Sequence, residues 1–360
     1  MSKRSILHII DSLGVGGAET LLIHANITLP GYEHIVVHLR EPNVYQHILK
    51  HTKVYYLDFQ SWVLLPKVVI GLKRIIARHC VNIIHSHLYY STIIARLACP
   101  PRVKLISSYH SLLYDPANKA QFSNKLLLLD RLTYRPYYYL LFVSTAVQQL
   151  VCQKVGIRGN YNVLYNYVGD QYFTENSNAI SNESSPIRIV MLGNLRPEKN
   201  YPFVIKALAN QSDQNFQMDI YGEGSQKSTL QKLICEHQLE KRIKLKGWVD
   251  QPSSVLQQYD FYIAASLFEG FGIALAEAMA SGLPCVVSNI ATHREVAGET
   301  VIYFNPTDPQ SLEKEIRAIF QDFQKLNHLK GLSKRRAEKF NRTSYIQELD
   351  NVYQKVCADG

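Results

Sequence analysis

A chain of 360 residues is too long for one ordinary core and suits two domains of about 150–200 residues each. Its 46% apolar and 19% charged residues exclude a disordered or fibrous protein. The formal charge of +9 is not shared evenly: residues 1–166 hold 18 Lys and Arg against 7 Asp and Glu, residues 167–360 hold 21 against 23. The first half is strongly basic and the second slightly acidic, so an anionic partner is expected at the first.

No apolar run reaches the roughly 18 residues that a spanning helix needs. The longest candidate, KLLLLDRLTYRPYYYLLF, is interrupted by Asp130, Arg131 and Arg135. The N-terminus is basic, but its short apolar run ends at Asp11, so a secretion signal is not expected. Cys80, Cys99, Cys152, Cys235, Cys285 and Cys357 show neither C-x-x-C nor metal-ligand spacing. That usage fits reduced thiols in a cytosolic chain without a metal site.

Along the chain, ILHII (6–10) reads as a buried parallel strand, followed by the glycine loop GVGG and a helix over AETLLIHAN. Further short strands are expected at 34–39, 54–59, 82–87, 103–110 and 139–145, with a helix over 66–80 among them. The second half repeats the alternation, with strands at 187–192, 216–221, 242–247, 261–266, 284–288 and 301–304. Strand–helix alternation points to α/β units, each a parallel sheet covered on both faces. The polar segment TENSNAISNESSP (174–186) reads as the linker between two doubly wound domains. Ligands are expected at the carboxyl ends of the strands, in a cleft between the domains.

The densest signal is ASLFEGFGIALAEAMASGLPCVVS (265–288): a strand, a loop with Gly270 and Gly272, then a helix. Glycines admit a ligand to the backbone, and the first helical turn offers free N–H groups and a positive dipole end for phosphate. Glu269 and Glu277 are poor phosphate ligands and suit sugar hydroxyls better. Read from spacing alone, an ordinary crossover with a solvated Glu277 remains equally open.

The pattern E-G-F-G-x-x-x-x-E resembles the E-x7-E signature of retaining glycosyltransferases of family four, which have the GT-B fold: two Rossmann-like domains facing across a cleft. Six further segments follow the order of that family. They are GVGGAE (14–19), HSH (85–87), SSYHS (107–111), GNLRPEKN (193–200), YGEG (221–224) and GWVDQ (247–251). The resemblance implies an N-terminal acceptor domain (1–170), a linker (171–186), a nucleotide-sugar domain (187–340) and a final segment (341–360) returning to the first domain.

It also implies roles for individual residues. Glu269 would contact donor-sugar hydroxyls, with backbone N–H groups of Phe271, Gly272 and Ile273 on the sugar and distal phosphate. Glu277 would bind ribose. Lys199 would neutralise the leaving diphosphate, which Gly16 and Gly17 approach from the first domain. His110 would stand at the reaction centre. Gly222, Glu223, Trp248 and Val249 would lie along the donor nucleotide, UDP- or GDP-linked, and no separate cofactor is implied. The family's usual arginine is replaced by Asn194. Either Arg196 reaches the diphosphate from two residues further on or Lys199 works largely alone, and one cation is a sparse counter-charge.

His85 and His87 share one face of a strand at i and i+2, which makes His87 an acceptor-site candidate beside the reading as plain strand-end residues. Glu295 reads as a helix-start carboxylate. No D-x-D occurs, in keeping with metal-independent transfer. The basic first domain, with Trp62 and the tyrosines of YRPYYYLLF, suits an anionic inner leaflet. These features point to a peripheral hexosyltransferase of lipid-linked, lipopolysaccharide or capsule-type polysaccharide. A nucleotide-sugar epimerase or hydrolase on the same scaffold is the alternative. Nucleic acid is not an expected partner, because the basic residues form no binding motif.

Overall fold

The computed structural model describes residues 3–116, 118, 123–173, 186–211, 214–322 and 324–358. The expected linker 174–185 lies outside these. The described residues of 1–167 and 342–360 form one unit and those of 168–341 a second. The chain thus leaves the first unit at Tyr167, ahead of the expected boundary at 170. The reason is local: Val168 pairs with Asn341, and the short turn Asp170–Tyr172 buries Tyr172 within the second unit.

In the first unit the strands are β1 (Arg4–Leu13), β2 (Tyr32–Asn43), β3 (Lys53–Tyr56), β4 (Ile83–His87), β5 (Lys104–Tyr109), β6 (Tyr139–Phe142) and β7 (Tyr161–Val163). They form one parallel sheet in the order β3-β2-β1-β4-β5-β6-β7. Six coincide with expected strands. The seventh, β7, carries the exposed Tyr161 and Asn162 at a sheet edge and has no apolar run to announce it.

One face of this sheet packs Leu7, Ile9, Ile35, Val37 and Ile84 against Val68, Leu72, Ile75 and Ile76 of helix Leu65–Arg78 and against helix Tyr89–Ala98. The other face packs Ile6, Ile83, Ile106 and Leu141 against the last helix, Arg342–Ala358. That helix contributes Tyr345, Leu349, Val352, Tyr353 and Val356, spaced as one helical stripe. Tyr32 donates to Asp350 at 2.7 Å and Tyr345 to Asn26 at 2.8 Å, which pin its ends.

Charge inside the long apolar stretch is also accounted for. Asp130, fully buried on helix Asn124–Thr133, pairs with buried Arg96 and accepts from the hydroxyls of Tyr109 and Tyr114. A buried carboxylate is tolerable only when its charge and lone pairs are met in this way.

The second unit has strands β8 (Ile187–Leu192), β9 (Phe216–Tyr221), β10 (Ile243–Gly247), β11 (Phe261–Ala264), β12 (Cys285–Ser288) and β13 (Ile302–Phe304), parallel in the order β10-β9-β8-β11-β12-β13. Strand order reverses between β1 and β4 in the first sheet and between β8 and β11 in the second. Doubly wound sheets open a ligand crevice at that point, outside the carboxyl ends of the strands.

Candidate functional site

In the second unit the loops that leave β8 and β11, the two strands flanking the reversal, bring the expected residues together. After β8, Gly193 takes φ +143° and the chain turns through Asn194 and Leu195 to Pro197–Lys199. The neighbouring loop after β9 must lie against this turn. A Cβ on Gly222, at φ +142°, would stand 2.0 Å from the Gly193 carbonyl oxygen, so only glycine fits there. Leu195 N donates to Glu223 O at 2.9 Å and Gly222 N to Gly247 O at 2.8 Å, tying three strand ends together.

Lys199 Nζ donates to Glu269 Oε1 at 2.5 Å, and Ser266 Oγ donates to the same oxygen at 2.7 Å. Both side chains of the ion pair are largely buried. Burial alone would raise the Glu269 carboxyl, yet the Lys199 ammonium, helped by the Ser266 hydroxyl, holds it below the usual carboxylate range. It therefore stays ionised. Arg196 leaves the same turn but is half exposed, with its guanidinium 4.0 Å from Glu198, and it is not part of the Lys199–Glu269 contact. Asn194 contributes its carbonyl, which accepts from Arg196 N at 2.8 Å.

Gly272 begins helix Ile273–Ala280 in the left-handed region, at φ +89° and ψ 54°. Phe271 is buried edge-on against Phe340, which anchors the loop and presents the first helical turn beside Glu269. Within that helix, Glu277 is raised to about 7 by burial, only partly offset by the hydroxyl of Tyr172. At the rim, Trp248 is exposed and Val249 half-buried, while the Glu223 carboxylate is held by Lys227 at 2.9 Å. Glu295 lies in helix Ala291–Ala297, and its carbonyl accepts from Arg336.

Two residues here escaped sequence reasoning. His293 is buried with Nδ1 on Ser288 and Nε2 without a partner, its ring 3.5 Å from where a Gly272 Cβ would be. Burial lowers it to about 4, against the pull of Glu269, so it is neutral. Tyr172, the partner of Glu277, lies far upstream in sequence. The only sequence signal for His293 was a polar residue flanking a strand–helix junction, and Tyr172 had none.

In the first unit Gly16 starts helix Gly17–His24 in an extended conformation, with Gly17 exposed. The Glu19 carboxylate lies over Gly16, where a phosphate was expected. His110 follows β5. Both its ring nitrogens are buried without a partner, and burial lowers it to about 4. His87 is fully buried, not open at a strand end: its ring stands 5.7 Å from that of His110 and 4.1 Å from that of His85. Among the described residues His8, His85 and His87 are grouped closely enough to share an ion. His85 is already held by Tyr353 OH and Ser108 Oγ, each at 2.7 Å.

Residues 15–171 match the family Glycosyltransferase Family 4, and residues 173–336 match Glycosyl transferases group 1. The chain is 29% identical over 185 residues to the UDP-N-acetylglucosamine–peptide N-acetylglucosaminyltransferase GtfA subunit of Streptococcus pneumoniae, covering 48% of this chain and 37% of that one. It is 25% identical over 203 residues to the O-antigen biosynthesis glycosyltransferase WclY of Escherichia coli, covering 54% and 56%. The chain thus spans 37% of the length of that GtfA subunit and 56% of WclY, and 91% of the uncharacterized glycosyltransferase MJ1607 of Methanocaldococcus jannaschii, to which it is 23% identical over 369 residues. In fold it is similar to the structure of Anabaena HepE in complex with UDP, with a TM-score of 0.83 and 21% identity over 98% of this chain and 100% of that one.

Removing the cation from Glu269 tests the pairing. A depressed carboxylate contributes stability above its unfolded value, and that stability is lost as pH falls through the folded value. Lys199→Met is therefore expected to cost about 3 kcal/mol at pH 7, by stranding a buried charge. The loss should be smaller at pH 4, because without Lys199 burial raises the Glu269 carboxyl and the variant neutralises its stranded charge sooner than the wild type does. Thermal unfolding at the two pH values checks this; equal losses at both would show that the charge is not the cause.

Proposed function

We propose that this chain, which belongs to the family 4, group 1 glycosyltransferases, moves a sugar from a nucleoside diphosphate to a glycan hydroxyl. The observation that carries the proposal is the ionised Glu269 locked to Lys199 beside the start of helix Ile273–Ala280. Lys199 and the helix end offer positive potential to the phosphate that departs, and charge stabilised where it develops lowers the barrier. Glu269 and Ser266 hold sugar hydroxyls. In the retaining course, the bond from the anomeric carbon to phosphate oxygen breaks as the acceptor oxygen bonds on the same face. The acceptor's proton passes to the departing phosphate oxygen, so no side chain need be a covalent nucleophile.

Relatives named for UDP-sugars support a uridine donor over a guanosine one. The reported relatives are glycosyltransferases by name, and none favours the epimerase reading. Likeness to an O-antigen enzyme supports a lipid-linked or lipopolysaccharide-type acceptor. We assign Glu277 to the ribose hydroxyls. An ionised carboxylate accepts from both hydroxyls and a protonated one does not, so nucleotide affinity should rise with pH through about 7. UDP should raise the melting temperature more than GDP, and more at pH 8 than at pH 6. In Glu277→Gln the extra gain between those values should vanish. Equal shifts for both nucleotides would remove the uridine assignment, and an unchanged pH response in the variant would remove that of Glu277.

With Lys199 and the helix end as the counter-charge, transfer should proceed without a divalent ion. Sugar transfer followed by mass spectrometry should persist in EDTA. Loss in EDTA with recovery on adding a metal would contradict this.

No helix of the described residues is long and apolar enough to cross a membrane. On the first unit, Trp62, Val63 and Ile70 are exposed apolar groups beside Lys67, Lys73 and Arg74. We assign this face to the anionic inner leaflet of the plasma membrane, with the enzyme attached peripherally. Co-sedimentation with phosphatidylglycerol vesicles is expected at low salt and should fall as salt screens the charges. Absence of binding at low salt would eliminate the attachment.

A further inference from the structure

The sheet of the first unit carries a row of imidazoles across its centre. β1 pairs with β2 and β4 in a register that sets Ile6 beside His34, His8 beside His85, and Ile10 beside His87. His8, His85 and His87 are fully or almost fully buried. Burial lowers all of them and His34 too, so the row is uncharged near neutral pH. A neutral imidazole has one N–H and one bare nitrogen, and each hydrogen bond decides which is which.

Three hydrogen bonds decide it in series. The Leu29 carbonyl can only accept, so His34 Nε2, 3.0 Å away, carries its proton and His34 Nδ1 is bare. His8 Nε2 stands 3.1 Å from that bare nitrogen and donates to it, leaving His8 Nδ1 bare in turn. His87 Nε2, at 3.4 Å, then donates to His8 Nδ1. The consequence falls at the end of this series: His87 Nδ1 is a bare acceptor, buried and without a partner among the described residues. Beside it His110 has both nitrogens buried and unpartnered. Buried polar atoms left unpaired are uncommon, and two adjacent rings with three such atoms mark a place kept for a polar ligand.

We propose that His8 and His34 are positioning residues that hold His87 in the tautomer whose Nδ1 accepts a hydrogen bond from the hydroxyl of the acceptor saccharide. This rests on the glycosyl-transfer reading. Oriented in this way, a hydroxyl keeps its oxygen lone pairs free to attack. A metal shared by His8, His85 and His87 is the competing use of the cluster. It is disfavoured because both nitrogens of His8 and of His85 already have hydrogen-bond partners.

The test is the tautomeric state of each ring, read by long-range proton–nitrogen NMR on deuterated, 15N-histidine-labelled protein without ligand. His34, His8 and His87 are all expected as the Nε2–H form; a proton on His87 Nδ1, a charged His87, or stoichiometric zinc in the purified protein overturns the proposal. His34→Phe removes the acceptor for His8 and should mix the His87 tautomers. UDP-sugar turnover should then fall about tenfold with the donor KM unchanged, as for other histidines whose orienting partner is lost. His34→Gln, with an acceptor and a donor at similar positions, should restore both the spectrum and the turnover. A His34→Phe protein with wild-type spectrum and turnover would also overturn it. Failure of the wild type to bind or turn over any nucleotide sugar would instead refute the glycosyl-transfer reading, and the ring spectra would be unaffected by that result.

Discussion

A carboxylate withdrawn from water must be met by a cation or by a proton, and the second unit uses both solutions on one strand–loop–helix segment. Glu269 has Lys199 at 2.5 Å and stays ionised. Glu277, eight residues on, is met among the described residues by the hydroxyl of Tyr172 and is raised to about 7 by burial. Two chemically identical side chains are thereby given different proton affinities by their surroundings, the usual means by which one site acquires two functions. The rest of the site follows from the first pairing. Lys199 reaches Glu269 only because the Gly193 turn folds under it, and that turn is held by a loop whose Gly222 admits no side chain.

The first unit solves the complementary problem of burying basic groups. Arg96 keeps its charge because Asp130 and the tyrosine hydroxyls surround it. The histidines lose theirs to burial, reinforced by their histidine neighbours, and among the described residues no carboxylate partners His8, His85 or His87. The surplus of positive charge in this half is consequently a property of its surface lysines and arginines and not of its interior. The many histidines add polarity to the core without adding charge.

How much of this could be read in the sequence depended on the range of the interaction. The strands were legible because a parallel sheet demands short, continuous apolar runs, and β8 and β9 fall on the expected residues. β7 was not, because an exposed edge strand needs no apolar run. The glycines and acids of the 265–288 segment were legible because helix starts and close approaches restrict residue type locally. His293, Tyr172, His8 and His34 were not. Their parts depend on contacts across the fold, and a histidine in a strand looks alike whether its neighbour is leucine or another histidine. His87 was noticed for its spacing and does end β4, but its full burial in a row of rings depends on neighbouring strands that the spacing does not reveal.

The same strand order serves both units, and the difference between them lies in what the two central loops carry. In the second unit the residues after β8 and β11 supply a fixed cation, a fixed anion and a helix start, groups suited to a charged leaving group. In the first, the strands flanking the reversal carry neutral rings, of which His8 and His87 form a hydrogen-bonded series that begins at the Leu29 carbonyl. A neutral imidazole nitrogen can accept the proton of an uncharged hydroxyl in a hydrogen bond. The fold supplies the place, and the charge state of the buried side chains selects which kind of substrate group each place can hold.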